Sequence, residues 1–134
     1  MPLFYDNNKP GLANYSEAEL TLTAPRDWTA SDVEELSMWF RGDPANSAEN
    51  LYVAVTDASG ASIVEYHDSP NASQASTWQE WVIPLQKFAD QGINLTNVDR
   101  IGLGIGTRGN TTVPGGSGKM YFDDIRLYRP RATP

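Results

Sequence analysis

The sequence predicts an all-β domain, a β-sandwich of the jelly-roll type. Three observations carry that expectation. Short runs rich in β-branched and aromatic residues recur between clusters of Gly, Pro, Asn, Asp and Ser. Several runs alternate apolar and polar residues with period two, as half-buried strands do. The one helical candidate, residues 86–90, is a single turn, and neither an internal repeat nor a heptad pattern occurs.

Taken in order, residues 3–5 form a short apolar start, and residues 6–14 a polar loop holding Pro10 and Gly11. Residues 17–23 alternate (Glu17, Ala18, Glu19, Leu20, Thr21, Leu22, Thr23) and predict a strand with one covered face. Residues 33–41 predict the next, broken by Gly42-Asp43-Pro44. Residues 51–56 alternate and end in Asp57-Ala58-Ser59-Gly60, a hairpin turn from which residues 61–66 return. Residues 78–85 read as a strand closed by Pro84. In residues 100–107 Ile101, Leu103 and Ile105 alternate with Gly102, Gly104 and Gly106. That strand has one face without side chains, open to close approach by another backbone or a ligand. A loop rich in Gly, Thr and Pro spans residues 108–118, and the last strand follows to Tyr128. About eight short strands at this spacing build two packed sheets. Residues 1–128 make one module, and residues 129–134 a polar tail.

Composition narrows the function classes. A length of 134 residues fits a single domain. The net charge of −7 lacks the basic footprint of a nucleic-acid binder and is repelled by an acidic membrane surface. With no cysteine, disulfides and thiolate metal sites are excluded. No apolar run is long enough to span a membrane, so no membrane insertion is expected. With no signal peptide visible, the chain is expected to be either cytoplasmic or a piece cut from a longer protein, and the abrupt start favours the second. Sequons at Asn14, Asn71, Asn94 and Asn110 are what an Asn- and Thr-rich chain yields by chance.

Three segments together resemble a known group. Trp78-Gln79-Glu80-Trp81-Val82-Ile83-Pro84-Leu85 looks like the W..W.IPL strand of galactose-binding-like jelly rolls. Val33-Glu34-Glu35-Leu36-Ser37-Met38-Trp39-Phe40-Arg41-Gly42 resembles their central strand, and Met120-Tyr121-Phe122-Asp123-Asp124-Ile125-Arg126-Leu127 their closing strand. Over about residues 16–128 the chain is similar to family 11-type carbohydrate-binding modules of large bacterial extracellular proteins. The resemblance implies a galactose-binding-domain-like sandwich, a non-catalytic role, polysaccharide as partner and an extracellular or cell-surface location. It also implies structural calcium held by the closing Asp pair, here Asp123 and Asp124. The group opens with a further strand whose Glu adds a calcium ligand. Here Met1 already stands at the second strand of the pattern. An open sheet edge is therefore expected, which a neighbouring identical or parent-protein chain would complete.

The residues themselves give each site two readings. Adjacent Asp residues are poor strand formers. Either a hard cation rewards them, since calcium takes six to eight oxygens, or they form a bulge at the sheet rim. Because neighbours on a strand point to opposite faces, the pair is not expected to flank a sugar bond as in glycoside hydrolysis. In the central strand Leu36, Met38 and Phe40 share the core face, leaving Ser37, Trp39 and Arg41 outside. Trp39 beside Arg41 could stack sugar rings, and Tyr52 would share such an outer face. His67 and Arg108 are expected to help from loops. The alternative is that these aromatics are covered or lie at the rim, and Trp78 and Trp81 are assigned to the core or rim. A lone His67 without cysteine builds no ordinary zinc site. No nucleophile-elbow pattern is present, so no catalytic site is expected.

The leading expectation is thus a polysaccharide-binding module with structural calcium, its face formed by Trp39, Arg41 and Tyr52 with His67 and Arg108. Its rival is a structural module of an extracellular fibre or surface layer.

Overall fold

A computed structural model describes residues 2–8, 14–22, 27–110 and 115–129. Its strands are β1 (Pro2–Asp6), β2 (Tyr15–Thr21), β3 (Glu35–Arg41), β4 (Leu51–Asp57), β5 (Ser62–Tyr66), β6 (Gln79–Pro84), β7 (Val98–Gly106) and β8 (Ser117–Tyr128), with one helical turn, α1 (Gln86–Ala89), after β6. All pairs are antiparallel. They form two four-stranded sheets, ordered β1-β8-β3-β6 and β2-β7-β4-β5. The all-β sandwich expected from the strand spacing is therefore the fold.

Period-two patterning builds the core. Leu36, Met38, Phe40, Met120, Phe122 and Ile83 point inward from the first sheet. Leu51, Val53, Val55, Ile101, Leu103 and Ile105 meet them from the second. Trp28, Leu85, Phe88, Ile93 and Val98 belong to the same buried cluster.

The departures are small. The second strand runs from Tyr15 to Thr21, because Tyr15 pairs with Gly106 at the end of β7. A 3-10 turn, Ala30–Asp32, precedes β3, which begins at Glu35. Residues 111–114 of the loop at 108–118 and residues 130–134 of the tail lie outside the described residues. No described helix is long and apolar enough to cross a membrane.

The glycines of β7 face the outside of the second sheet, and this chain fills the space itself. Tyr52 pairs with Gly104, and a Cβ at Gly104 would overlap its ring. A Cβ at Gly102 would stand 2.8 Å from the Glu17 carboxyl carbon. The close approach predicted for that face is made by these two side chains.

Candidate functional site

The first sheet turns a row of rings and cations outward. In β1, Phe4 points away from the core and is 70% exposed. It stands opposite Lys119 of β8, whose Nζ lies 4.8 Å from the centre of the Phe4 ring and 5.0 Å from that of Tyr121. Tyr121 stands opposite Arg41 of β3. The Arg41 guanidinium carbon is 4.9 Å from the Tyr121 ring and 5.7 Å from that of Trp78. The series Phe4, Lys119, Tyr121, Arg41, Trp78 thus crosses the sheet with a cation between each pair of rings. Alternation on β8 produces it: Met120 and Phe122 are buried, so Lys119 and Tyr121 must face out.

Trp39, 36% exposed, extends this face by one step along β3. It lies between Asp123 of β8 and Glu80 of β6. Glu80 accepts a 2.6 Å hydrogen bond from the buried Ser37 hydroxyl. Lys119 is held by Asn46, whose side-chain amide donates to its carbonyl at 2.8 Å and accepts from its N–H at 3.0 Å. That amide supplies the bonds a strand would make beyond the end of β3. The Tyr121 phenol is held below its usual pKa by hydrogen bonding from Lys119, with Arg41 adding to the effect.

The five residues expected to form one binding face lie in three places. Trp39 and Arg41 are together, as expected. Tyr52 is outward-facing but on the opposite sheet, and it is fully buried. Its hydroxyl donates to Glu17 at 2.8 Å, and burial and Glu17 push its pKa strongly upward. Arg108 belongs to that second cluster. Its Nε is 3.1 Å from the same Glu17 oxygen, and it donates to the Ser62 hydroxyl at 2.8 Å. Charge and hydrogen bonds there are mutually satisfied. His67 sits at the rim of the core, its ring edge-on to Phe40 at 5.3 Å and to Trp81 at 5.1 Å. Its Nδ1 accepts from the Ser69 N–H at 3.0 Å, and burial lowers its pKa against the opposing pull of Asp68.

Strand alternation separates core from surface but does not tell one sheet's surface from the other's, which is why Tyr52 was grouped with Trp39. Trp78, assigned from sequence to the core or rim, is instead 43% exposed against Arg41, whereas Trp81 is half-buried on the core. Phe4, Lys119 and Tyr121 were missed. The outward position of the last two was legible in the pattern of β8; that Phe4 lies beside them was not.

The Asp pair forms a bulge. Between Ser37 and Trp39 the pairing of β3 with β8 slips by one residue: Asp123 pairs with Trp39, and Asp124 and Ile125 together oppose Met38. Asp124 has φ +49°, a left-handed conformation that Asp tolerates better than most residues. Both carboxylates are exposed. One Asp123 oxygen accepts the Asp124 N–H at 2.8 Å, and Asp124 pairs with Arg126 at 3.2 Å. Among the described residues no three His, Cys, Asp or Glu gather where they could hold a metal ion. Two exposed carboxylates, one tied to an arginine, supply fewer oxygens by themselves than the six to eight that calcium takes, so backbone carbonyls would have to supply the rest.

β8 is also only partly paired. β1 covers residues 117–121, and among the described residues no strand lies on that side of residues 122–128. Beside residues 122–128 is an apolar cavity of about 590 Å³, lined by Leu20, Leu22, Trp28, Val33, Ile125 and Leu127 among others.

No protein-family model and no curated protein matches the sequence. Solved structures do share its fold. An exo-β-agarase superposes with a TM-score of 0.69 at 14% identity, over 98% of this chain and 21% of the agarase. A family 11 carbohydrate-binding module from Clostridium thermocellum, in complex with a β-1,3-1,4-mixed-linked tetrasaccharide, gives 0.57 at 15% identity, over 96% of this chain and 82% of that one. A family 11 module of a cellulosomal cellulase from the same organism gives 0.54 at 16%, over 87% and 68%. The chain has the β-sandwich fold of these carbohydrate-binding modules and spans about a fifth of the agarase's length.

Proposed function

We propose that this domain is a non-catalytic carbohydrate-binding module, acting outside the cell or at its surface, and that it binds polysaccharide on the outer face of the β1-β8-β3-β6 sheet. One observation carries the proposal: Phe4, Trp39 and Trp78 are exposed beside the half-buried Tyr121 on the outer face of one sheet. Large exposed rings on one face mark an interaction surface. Sugar rings present apolar C–H faces that stack on such side chains. Asp123 and Glu80 beside Trp39 are placed to accept hydroxyl hydrogen bonds. The shared fold with modules that hold oligosaccharides supports the same reading.

The test is retention in affinity gels cast with a panel of polysaccharides, run on the native chain and on Trp39→Ala and Trp78→Ala. Retention should be lost in both variants while their urea midpoints stay near that of the parent. Undiminished retention in both would overturn the assignment of this face.

The half-paired β8 supports a second reading, a module assembled with a neighbouring chain. In β1 and β8 paired residue numbers sum to 123, as Pro2 with Tyr121. A strand continuing that register would run antiparallel along residues 122–128 and drop apolar side chains into the adjoining cavity. Molar mass from light scattering decides: a concentration-dependent dimer or polymer favours assembly, and a monomer at all concentrations removes it.

A further inference from the structure

Two cations, Lys119 and Arg41, sit among the rings of the proposed binding face, and among the described residues no carboxylate forms an ion pair with either, although Arg100, Arg108 and Arg126 are all paired. Arg41 is held by stacking: its guanidinium lies against Trp78 and Tyr121, and its Nε is closed off from solvent with no acceptor. Lys119 lies between Phe4 and Tyr121. The two positive groups flank the single Tyr121 ring, on a protein whose net charge is −7. Among the described residues no carboxylate of this face forms an ion pair with either cation. Asp6, opposite Ser117, is the diagonal cross-strand neighbour of Lys119, and its carboxylate accepts the Asn8 N–H at 3.2 Å. Asp123 and Glu80 flank Trp39, and Glu80 is bonded to Ser37. The face is therefore polarised, acidic around Trp39 and cationic around Tyr121.

We infer that the ligand is an anionic polysaccharide, with a carboxylate or sulfate group of one sugar unit held between Lys119 and Arg41 while neighbouring units stack on Trp39, Trp78 and Phe4. This rests on the carbohydrate-binding reading and narrows its substrate class. Both cations donate charge-assisted hydrogen bonds, and the Arg41 fork suits the paired oxygens of either group. The acidic remainder of the molecule repels polyanions. Capture of one then depends on this local pair rather than on overall charge.

The test is calorimetric titration and affinity electrophoresis with four probes: polygalacturonate for carboxylates, κ-carrageenan for sulfate esters, and agarose and mixed-linkage β-glucan as neutral polymers. The native chain should bind one charged polymer more tightly than either neutral one, and which polymer it prefers distinguishes carboxylate from sulfate. Lys119→Gln and Arg41→Gln should each weaken that binding roughly tenfold or more, the loss expected for one charge-assisted hydrogen bond. Arg41→Lys should restore only part, lacking the fork. Lys87→Gln, which removes an exposed cation on α1, should change nothing. Added salt should weaken the charged complex more than any neutral one. Neutral binding that equals charged binding and ignores Lys119→Gln would overturn the inference and leave the carbohydrate-binding reading standing. Failure of all four polymers to bind would overturn both.

Discussion

The ring of Tyr52 occupies the space that a side chain on Gly104 would need. The two residues face each other across β4 and β7, and a Cβ on Gly104 would overlap the ring atoms and the hydroxyl. The alternating glycines of β7 are therefore a packing device. They let Tyr52 lie flat on the outer sheet surface and reach Glu17.

Gly104→Ala should consequently destabilise the fold by about 1–3 kcal/mol through overpacking. The penalty should shrink in a Tyr52→Ala background, and a double-mutant cycle in urea measures the coupling. Additive effects would show that the ring and the glycine are not in competition for the same space.

Stability should fall in mildly acidic solution because of His67. Burial lowers its pKa in the folded state, so the unfolded chain binds the proton more readily. Stability is then fully present well above about pH 6.5, the unfolded value, and declines as pH falls through it and toward the lower folded value. His67→Phe, which keeps a ring between Phe40 and Trp81, should flatten the urea midpoint across that window. An unchanged slope would assign the pH dependence to other groups.

Asp57 fastens the β4–β5 hairpin to the segment before β7. One carboxylate oxygen accepts from the Ser59 N–H at 3.0 Å, the Ser59 hydroxyl at 2.6 Å and the Ala61 N–H at 3.2 Å. The other accepts from the Asn94 N–H at 2.9 Å. The Ser59 hydroxyl contributes most to lowering its pKa, followed by the Asn94 N–H. A lowered folded pKa means stability present above about pH 3.9 and lost as pH drops below it. Asp57→Ala should lower the thermal midpoint at neutral pH and weaken the acid transition. Equal midpoints would mean that the turn holds without its carboxylate.

Calcium should leave stability unchanged if the described residues near the Asp123–Asp124 bulge are all that surround it. Thermal midpoints in excess calcium and in excess chelator should then coincide. A calcium-dependent rise that disappears in Asp123→Asn or Asp124→Asn would restore the pair as ligands.

Sequence by itself determined the sandwich, because alternation with period two sorts side chains into core and surface before any partner strand is known. It marked Leu36, Met38 and Phe40 as core and Trp39 and Arg41 as surface, and both hold. It flagged Asp123-Asp124 as a break in strand propensity, and the slipped register puts that break at Asp124. Only the tertiary structure decided which surfaces are the same surface. Tyr52 and Trp39 both point outward, yet from opposite sheets, whereas Phe4 and Lys119, far apart in the chain, are cross-strand neighbours. The physical reason is that side-chain direction is a local property of each strand. Strand order and register are set by long-range pairing, to which a local pattern contributes only the constraint that apolar faces must meet.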